Sequence, residues 1–324
     1  MSHLRSALFA VFLAGSMLLP VDAVALPISL SDLIHLYTID LASAATNPAG
    51  VAVTIDNAEA ATVDPDGNLW LMGHTDGPPE VGFFYHLDPT QGAEKFLSSM
   101  TSGAGRDGEG VAYANDRLLF TETPAAGRVD EKALPETVGG SIITAGPFSC
   151  GGLGVPCREP EGLAFDDSAN SLWVVDEHED IVFEASLAAV ALSSFDVSGL
   201  GLGGPEGITL FDDDLLVVFD DDDAQVNDVD LLANDPKIVE YTKAGATTGS
   251  EIHLRDLTLP NSVINPDPEG IAWDPDAERL YVVDSDNLQI YVLGTFVPEP
   301  SAATLFALQA VVVVGVLRKR KLFA

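Results

Sequence analysis

The stretch Pro160-Glu161-Gly162-Leu163-Ala164-Phe165-Asp166, followed across a polar turn by Leu172-Trp173-Val174-Val175-Asp176-Glu177, decides the fold. Two short apolar runs separated by Asp167, Ser168, Ala169 and Asn170 read as antiparallel strands joined by a tight turn. The phrase recurs. Pro268-Glu269-Gly270-Ile271-Ala272-Trp273-Asp274 leads to Leu280-Tyr281-Val282-Val283-Asp284, and Pro205-Glu206-Gly207-Ile208-Thr209-Leu210 leads to Leu215-Leu216-Val217-Val218. Earlier in the chain, Gly108-Glu109-Gly110-Val111-Ala112-Tyr113 leads to Leu118-Leu119-Phe120-Thr121-Glu122, and Ala58-Glu59-Ala60-Ala61-Thr62-Val63-Asp64 leads to Leu69-Trp70-Leu71-Met72. The leading glutamates stand 50, 52, 45 and 63 residues apart.

A period near fifty, built from short strands between Asp, Asn, Gly and Pro turns, is the signature of an all-β β-propeller with one four-stranded sheet per repeat. Ile181 to Ala185 and Gln289 to Leu293 fit third strands; Lys95 to Ser98, Ser194 to Val197 and Glu251 to Leu254 fit fourth strands. The last repeat ends after its third strand. Leu36 to Leu41 belongs to no repeat, so it is expected to supply the missing outer strand and leave no open sheet edge. The count gives five blades. A six-bladed ring is the alternative, with a degenerate blade hidden in 124 to 158 or 220 to 262. Helices are expected only at the two ends.

Those ends lie outside the repeats. In residues 1–25, Arg5 precedes an apolar run from Ala7 to Leu19, and Ala23-Val24-Ala25 offers a cleavage site, which reads as a secretory signal helix. The body is residues 26–297. In 298–324, Pro298-Glu299-Pro300 precedes an uncharged run, 302–317, and Arg318-Lys319-Arg320-Lys321 closes it. Sixteen helical residues reach about 24 Å, short of a hydrocarbon core of about 30 Å, a deficit that snorkelling basic side chains can cover. The positive-inside rule puts the basic cluster in the cytoplasm and the body across the membrane. The order Pro-Glu-Pro, apolar helix, basic cluster resembles the PEP-CTERM sorting signal of Gram-negative bacteria that make exopolysaccharide. That resemblance implies a transmembrane helix acting as an anchor, at least transiently, an exosortase that processes it, and a final place at the cell surface or in the extracellular matrix.

The chain carries 50 acidic against 15 basic residues, a formal charge of -35, and of those basic residues Arg5 and the terminal four lie in the signal and the tail. Such a body offers no clustered cations to a phosphate backbone, which excludes nucleic acid as a partner. It favours cations instead. The only cysteines, Cys150 and Cys157, enclose Gly-Gly-Leu-Gly-Val-Pro and read as a disulfide stapling a loop in an oxidising compartment, worth about 2.5 kcal/mol by chain-entropy reasoning.

In a propeller the first strand of each blade lines the central channel, so Glu59, Glu109, Glu161, Glu206 and Glu269 are expected in a ring near one mouth. Crowded carboxylates must be protonated, accept N–H bonds from adjoining blades, or hold a cation. Both the structural and the metal readings stand at this point, and they are compatible. A second acidic column, Glu122, Asp176 with Glu177, and Asp284, ends the second strands, while Gly73 and Phe219 interrupt it. Oxygen donors with little His or Cys nearby suit Ca2+. The candidate metal residues are therefore Glu59, Glu109, Glu161, Glu206, Glu269, Asp176, Glu177 and Asp284. Asp220-Asp221-Asp222-Asp223 lacks the glycine and terminal glutamate of an EF-hand loop and reads as a solvated, calcium-ordered insertion.

The phrases around Glu161 and Glu269 resemble the SdiA-regulated family of bacterial propellers, distant relatives of the NHL repeat, which implies five blades and a bound calcium. The Glu-Gly phrase is also similar to openings of gluconolactonase-like and phytase-like propellers, which implies a metal-dependent hydrolase with His74 or His178 as a base. Against that reading, the chain has no Asn-Gly ligand phrase, no basic cluster for phytate, and no Gly-x-Ser-x-Gly, His-Glu-x-x-His or phosphate-loop motif. The reading favoured is a non-enzymatic, calcium-stabilised module binding a glycan or protein ligand. Trp70, Trp173 and Trp273 are expected on inner strands as core packing rather than as a sugar platform.

Overall fold

Each of the five phrases folds into the two innermost strands of a four-stranded antiparallel sheet. The computed structural model describes residues 28–41, 45, 46, 52, 53, 55, 57–74, 81–90, 96–104, 107–123, 128–134, 143–149, 152–200, 202–220, 236–257 and 266–295. The signal segment 1–25, the tail 298–324, Cys150 and the insertion 221–235 lie outside the described residues, and so do the readings that fall on them. Among the described residues no helix is long and apolar enough to cross a membrane.

The first blade comprises β4 (Asn57–Val63), β5 (Leu69–His74), β6 (Val81–Leu87) and β7 (Phe96–Ala104). The second comprises β8 (Asp107–Tyr113), β9 (Arg117–Thr123), β10 (Arg128–Ala133) and β11 (Ile143–Ser149). Next come β12 (Pro160–Asp166), β13 (Ser171–Asp176), β14 (Ile181–Ser186) and β15 (Val190–Asp196), then β16 (Pro205–Phe211), β17 (Asp214–Phe219), β18 (Lys237–Thr242) and β19 (Thr247–His253). The fifth blade has β20 (Pro268–Asp274), β21 (Arg279–Asp284), β22 (Gln289–Thr295) and, as its outermost strand, β1 (Leu33–Asp40) from the start of the body. A two-stranded ladder of β2 (Ala45–Thr46) and β3 (Ala52–Val53) stands apart.

The ring thus closes as the unpaired N-terminal segment implies, with Leu33 opposite Thr295 and Asp40 opposite Gln289. There are five blades. The stretches held open for a sixth supply ordinary outer strands: β10 and β11 fall in the first, β18 and β19 in the second.

Second strands are buried on both faces because each is sandwiched between neighbouring blades, which is why they read as continuous apolar runs rather than alternating ones. The core accordingly divides into five wedges, one per blade interface. Trp70, Met72 and Phe84 pack on Val111 and Phe120 between the first two blades, and Trp173, Val175 and Val182 pack on Val217 and Phe219 between the third and fourth. Only Trp273 lies on a channel strand. Trp70 and Trp173 stand on β5 and β13, second strands, so all three tryptophans lie on the two inner strands of their blades as expected. All three are core residues, 4%, 1% and 8% exposed.

Candidate metal centre at the channel mouth

Each leading glutamate interrupts its ladder. The β4–β5 register slips between Ala58 and Ala60, β8–β9 between Gly108 and Val111, β12–β13 between Pro160 and Leu163, β16–β17 between Pro205 and Gly207, and β20–β21 between Pro268 and Gly270. A bulge frees one residue from pairing and re-aims its side chain, here at the same position in every blade. The glycine that follows is required by close approach. A Cβ on Gly110 would lie 1.8 Å from the Glu161 carbonyl oxygen, and on Gly162, Gly207 and Gly270 it would lie 2.6, 2.7 and 2.8 Å from the carbonyls of Glu206, Glu269 and Glu59. Each Gly therefore seats the bulged Glu backbone of the next blade. Ala60 is the exception, at the contact between the first two blades.

The five carboxylates converge. Glu161, 6% exposed, is held protonated well above the ordinary carboxylate range by burial, then by the charges of Glu109, Glu206 and Glu177. Glu269 is raised likewise by burial, then by Glu206, Asp267, Asp220 and Glu59. These neighbour relations run 109, 161, 206, 269, 59 along the ring. Glu59 has donors beside it: Asn57 Nδ2 gives it a bond of 2.7 Å, and His74 Nδ1 lies 3.2 Å away. Ser285 Oγ donates to Asp267 at 3.1 Å and reaches Glu269 at 3.4 Å.

Within this field Glu159, Glu161 and Glu177 each bring one oxygen to within 4.8 Å of the others. Oxygens bound to one calcium at about 2.3–2.6 Å lie at most about 5 Å apart, so the spacing and the all-oxygen donor set fit that ion. Glu159 was not singled out in the sequence. The signal was a polar residue two positions before four of the five leading glutamates, Asn57, Asp107, Glu159 and Asp267, a spacing that puts both side chains on one face of an extended strand.

The two aspartates of the second column have structural duties. Asp176 is fully buried and accepts the backbone N–H groups of Arg158, Glu159 and Glu179 at 2.7, 2.9 and 3.0 Å. Asp284, equally buried, accepts the Asn287 N–H at 2.9 Å and the Tyr291 hydroxyl. Each ties the loop entering a channel strand to the turn after a second strand. His178 is exposed beside Arg158, with Nδ1 4.0 Å from a carboxylate oxygen of Glu159. Cys157 is disulfide-bonded.

At the carboxylates the channel narrows to a space of about 10 Å³ bounded by Glu109 and Glu269 and by an apolar tier of Ala61, Val111, Leu163, Ile208 and Ile271. Beyond that throat it opens on the opposite face as a cavity of about 260 Å³.

No curated protein sequence matches this chain. Among solved structures, the tail fibre of Staphylococcus aureus phage P68 superposes with a TM-score of 0.51 at 13% identity, covering 82% of this chain and 54% of that one. Myxococcus xanthus glutaminyl cyclase gives 0.48 at 12%, covering 81% and 95%, and a luciferin-regenerating enzyme 0.45 at 10%, covering 80% and 97%. At such identities a likeness speaks to fold alone. The five-bladed body is joined by one sequence finding: residues 157–312, just under half of the chain, match the family model described as SdiA-regulated.

Proposed function

We propose that the protein is an exported, calcium-stabilised β-propeller binding module of the cell envelope or exopolysaccharide matrix, sorted by exosortase through its C-terminal tail and presenting its surface to a glycan or protein ligand. The observation that carries the calcium part is the buried Glu161 carboxyl with Glu159 and Glu177 around it. An apolar setting and like charges penalise every ionised state of this group, and a divalent cation relieves both penalties at once. The tail motif and the signal segment carry the export part.

One observation favours the hydrolase alternative: His74 beside Glu59 brings an imidazole to the same mouth. A single set of measurements separates the readings. Melting of residues 26–297 in calcium and in chelator is expected to differ by several degrees, with the difference lost in Glu161→Gln. Equal melting temperatures would remove calcium from the proposal. Calcium-dependent cleavage of a lactone or phosphate ester, abolished by His74→Gln, would replace the binding module with the hydrolase.

A further inference from the structure

The face opposite the carboxylates carries a second site. Four residues after each leading glutamate, the channel strands present Val63, Tyr113, Phe165, Leu210 and Trp273, and these five surround the cavity of about 260 Å³, with the apolar throat as its floor. Tyr113 and Phe165 keep partial exposure, so their rings are reachable from the opening. The lining holds no lysine or arginine, and its one ionisable acid is the exposed Asp212.

The field here is negative. Burial, then Asp116, Asp64 and Asp66, push the Tyr113 phenol up to about 12, and the hydroxyl donates to Asp116 Oδ1 at 3.0 Å. Two threonines in the wall are already oriented. Thr62 Oγ1 accepts the Tyr113 N–H and Thr209 Oγ1 the Trp273 N–H, both at 3.1 Å, and these bonds fix the strands that hold those rings. An anion would find no counter-charge. A polar neutral molecule would find few donors. A positive charge on an apolar body would meet aromatic faces, a carboxylate at the rim and a greasy floor, the combination that cation–π recognition uses.

We propose that this funnel binds a small organic ammonium ion, its apolar part against the throat and its charged head among Tyr113, Phe165, Trp273 and Asp212. The site is independent of the calcium reading, since it shares no residue with it and lies beyond the constriction.

The test is titration of the calcium-loaded full chain in nonionic detergent with choline and, in parallel, with 3,3-dimethylbutan-1-ol, its uncharged carbon isostere, read by calorimetry and tryptophan fluorescence. Choline is expected to bind at least tenfold more tightly than the alcohol, and affinity should fall on adding salt. Phe165→Leu, which keeps an apolar side chain, should weaken choline about tenfold and Asp212→Asn about threefold, each with an unchanged melting temperature. n-Butylamine is run beside choline, and binding of either ion with these effects supports the site. Equal affinity for choline and the alcohol, full affinity in both variants, or no response to either ammonium ion would overturn it.

Discussion

At the scale of single residues, chemistry at the mouth follows from which carboxylates are compensated. Asp176 has three backbone N–H donors, so Asp176→Ala should cost about 3 kcal/mol in denaturant unfolding, whether or not calcium is present. Glu161 shares a side-chain hydrogen bond with Glu109, a like-charged group, instead of taking backbone N–H groups, and the opposite result is expected of it. Glu161→Gln should be about 1–3 kcal/mol more stable than the parent in chelator and insensitive to added calcium. A loss of stability in chelator would show that Glu161 is a structural acceptor and not an ion ligand. The glycine beside it is equally definite: Gly110→Ala drives a Cβ into a backbone carbonyl that cannot move aside, for a loss of about 3 kcal/mol, whereas Gly152→Ala meets nothing within 4 Å and should stay within about 0.5 kcal/mol.

At the scale of elements, the closing strand and the inter-blade bonds matter most. Adjacent blades lack a shared ladder, so contacts such as the Trp273 N–H to Thr209 Oγ1 between channel strands, and Thr121 Oγ1 of β9 to the Glu161 carbonyl at 2.8 Å, connect them. Thr209→Val should cost about 1 kcal/mol, since it leaves a buried N–H without its acceptor. β1 does more, because it covers the edge of β22 and contributes Ile39 to the wedge between the fifth and first blades. Removing residues 28–40 should abolish cooperative unfolding and expose a strand edge that associates, visible as loss of the melting transition together with oligomers in size-exclusion chromatography. A monomeric, cooperatively melting truncation would mean that the ring holds without its closure.

At the scale of the whole molecule, acidity sets the pH response. Glu161 and Glu269 are protonated more readily folded than unfolded, where a glutamate titrates near 4.5, so in chelator the folded state loses stability as pH rises from 4.5 through their raised values. Asp64 and Asp166 act in the other sense. Despite burial, bonds from His86 and the Asn68 N–H hold Asp64 low, and bonds from Lys243 and Ser168 hold Asp166 low, so their contribution is present above 3.8 and lost on acidification. The chelated protein should therefore melt highest in mild acid and progressively lower toward neutrality, while calcium, on the proposal that it binds the deprotonated carboxylates, should reverse that slope. Calorimetric melts at three pH values with and without calcium measure both trends, and a chelated protein that gains stability toward neutrality would contradict the upward shifts of Glu161 and Glu269.

The sequence by itself determined the class, favoured five blades over six and picked out the repeated glutamates, because each repeat carries its own strands, turns and punctuation within about fifty residues, and the repeat is what local chemistry can encode. It also specified the closure, since a strand-forming segment without a repeat has one vacant edge to fill. Only the tertiary structure decided which carboxylates meet. Glu159 and Glu161 meet Glu177 because the Glu177 N–H bonds the Glu159 carbonyl at 3.1 Å beside the paired Pro160 and Asp176, Asp176 takes three N–H groups from the loop ahead of β12 and the turn after β13, and the funnel of Tyr113, Phe165 and Trp273 exists because five strands distant in sequence point the same tier of residues at one axis. Those are distances between blades, fixed by packing around a closed ring, and no single repeat contains them.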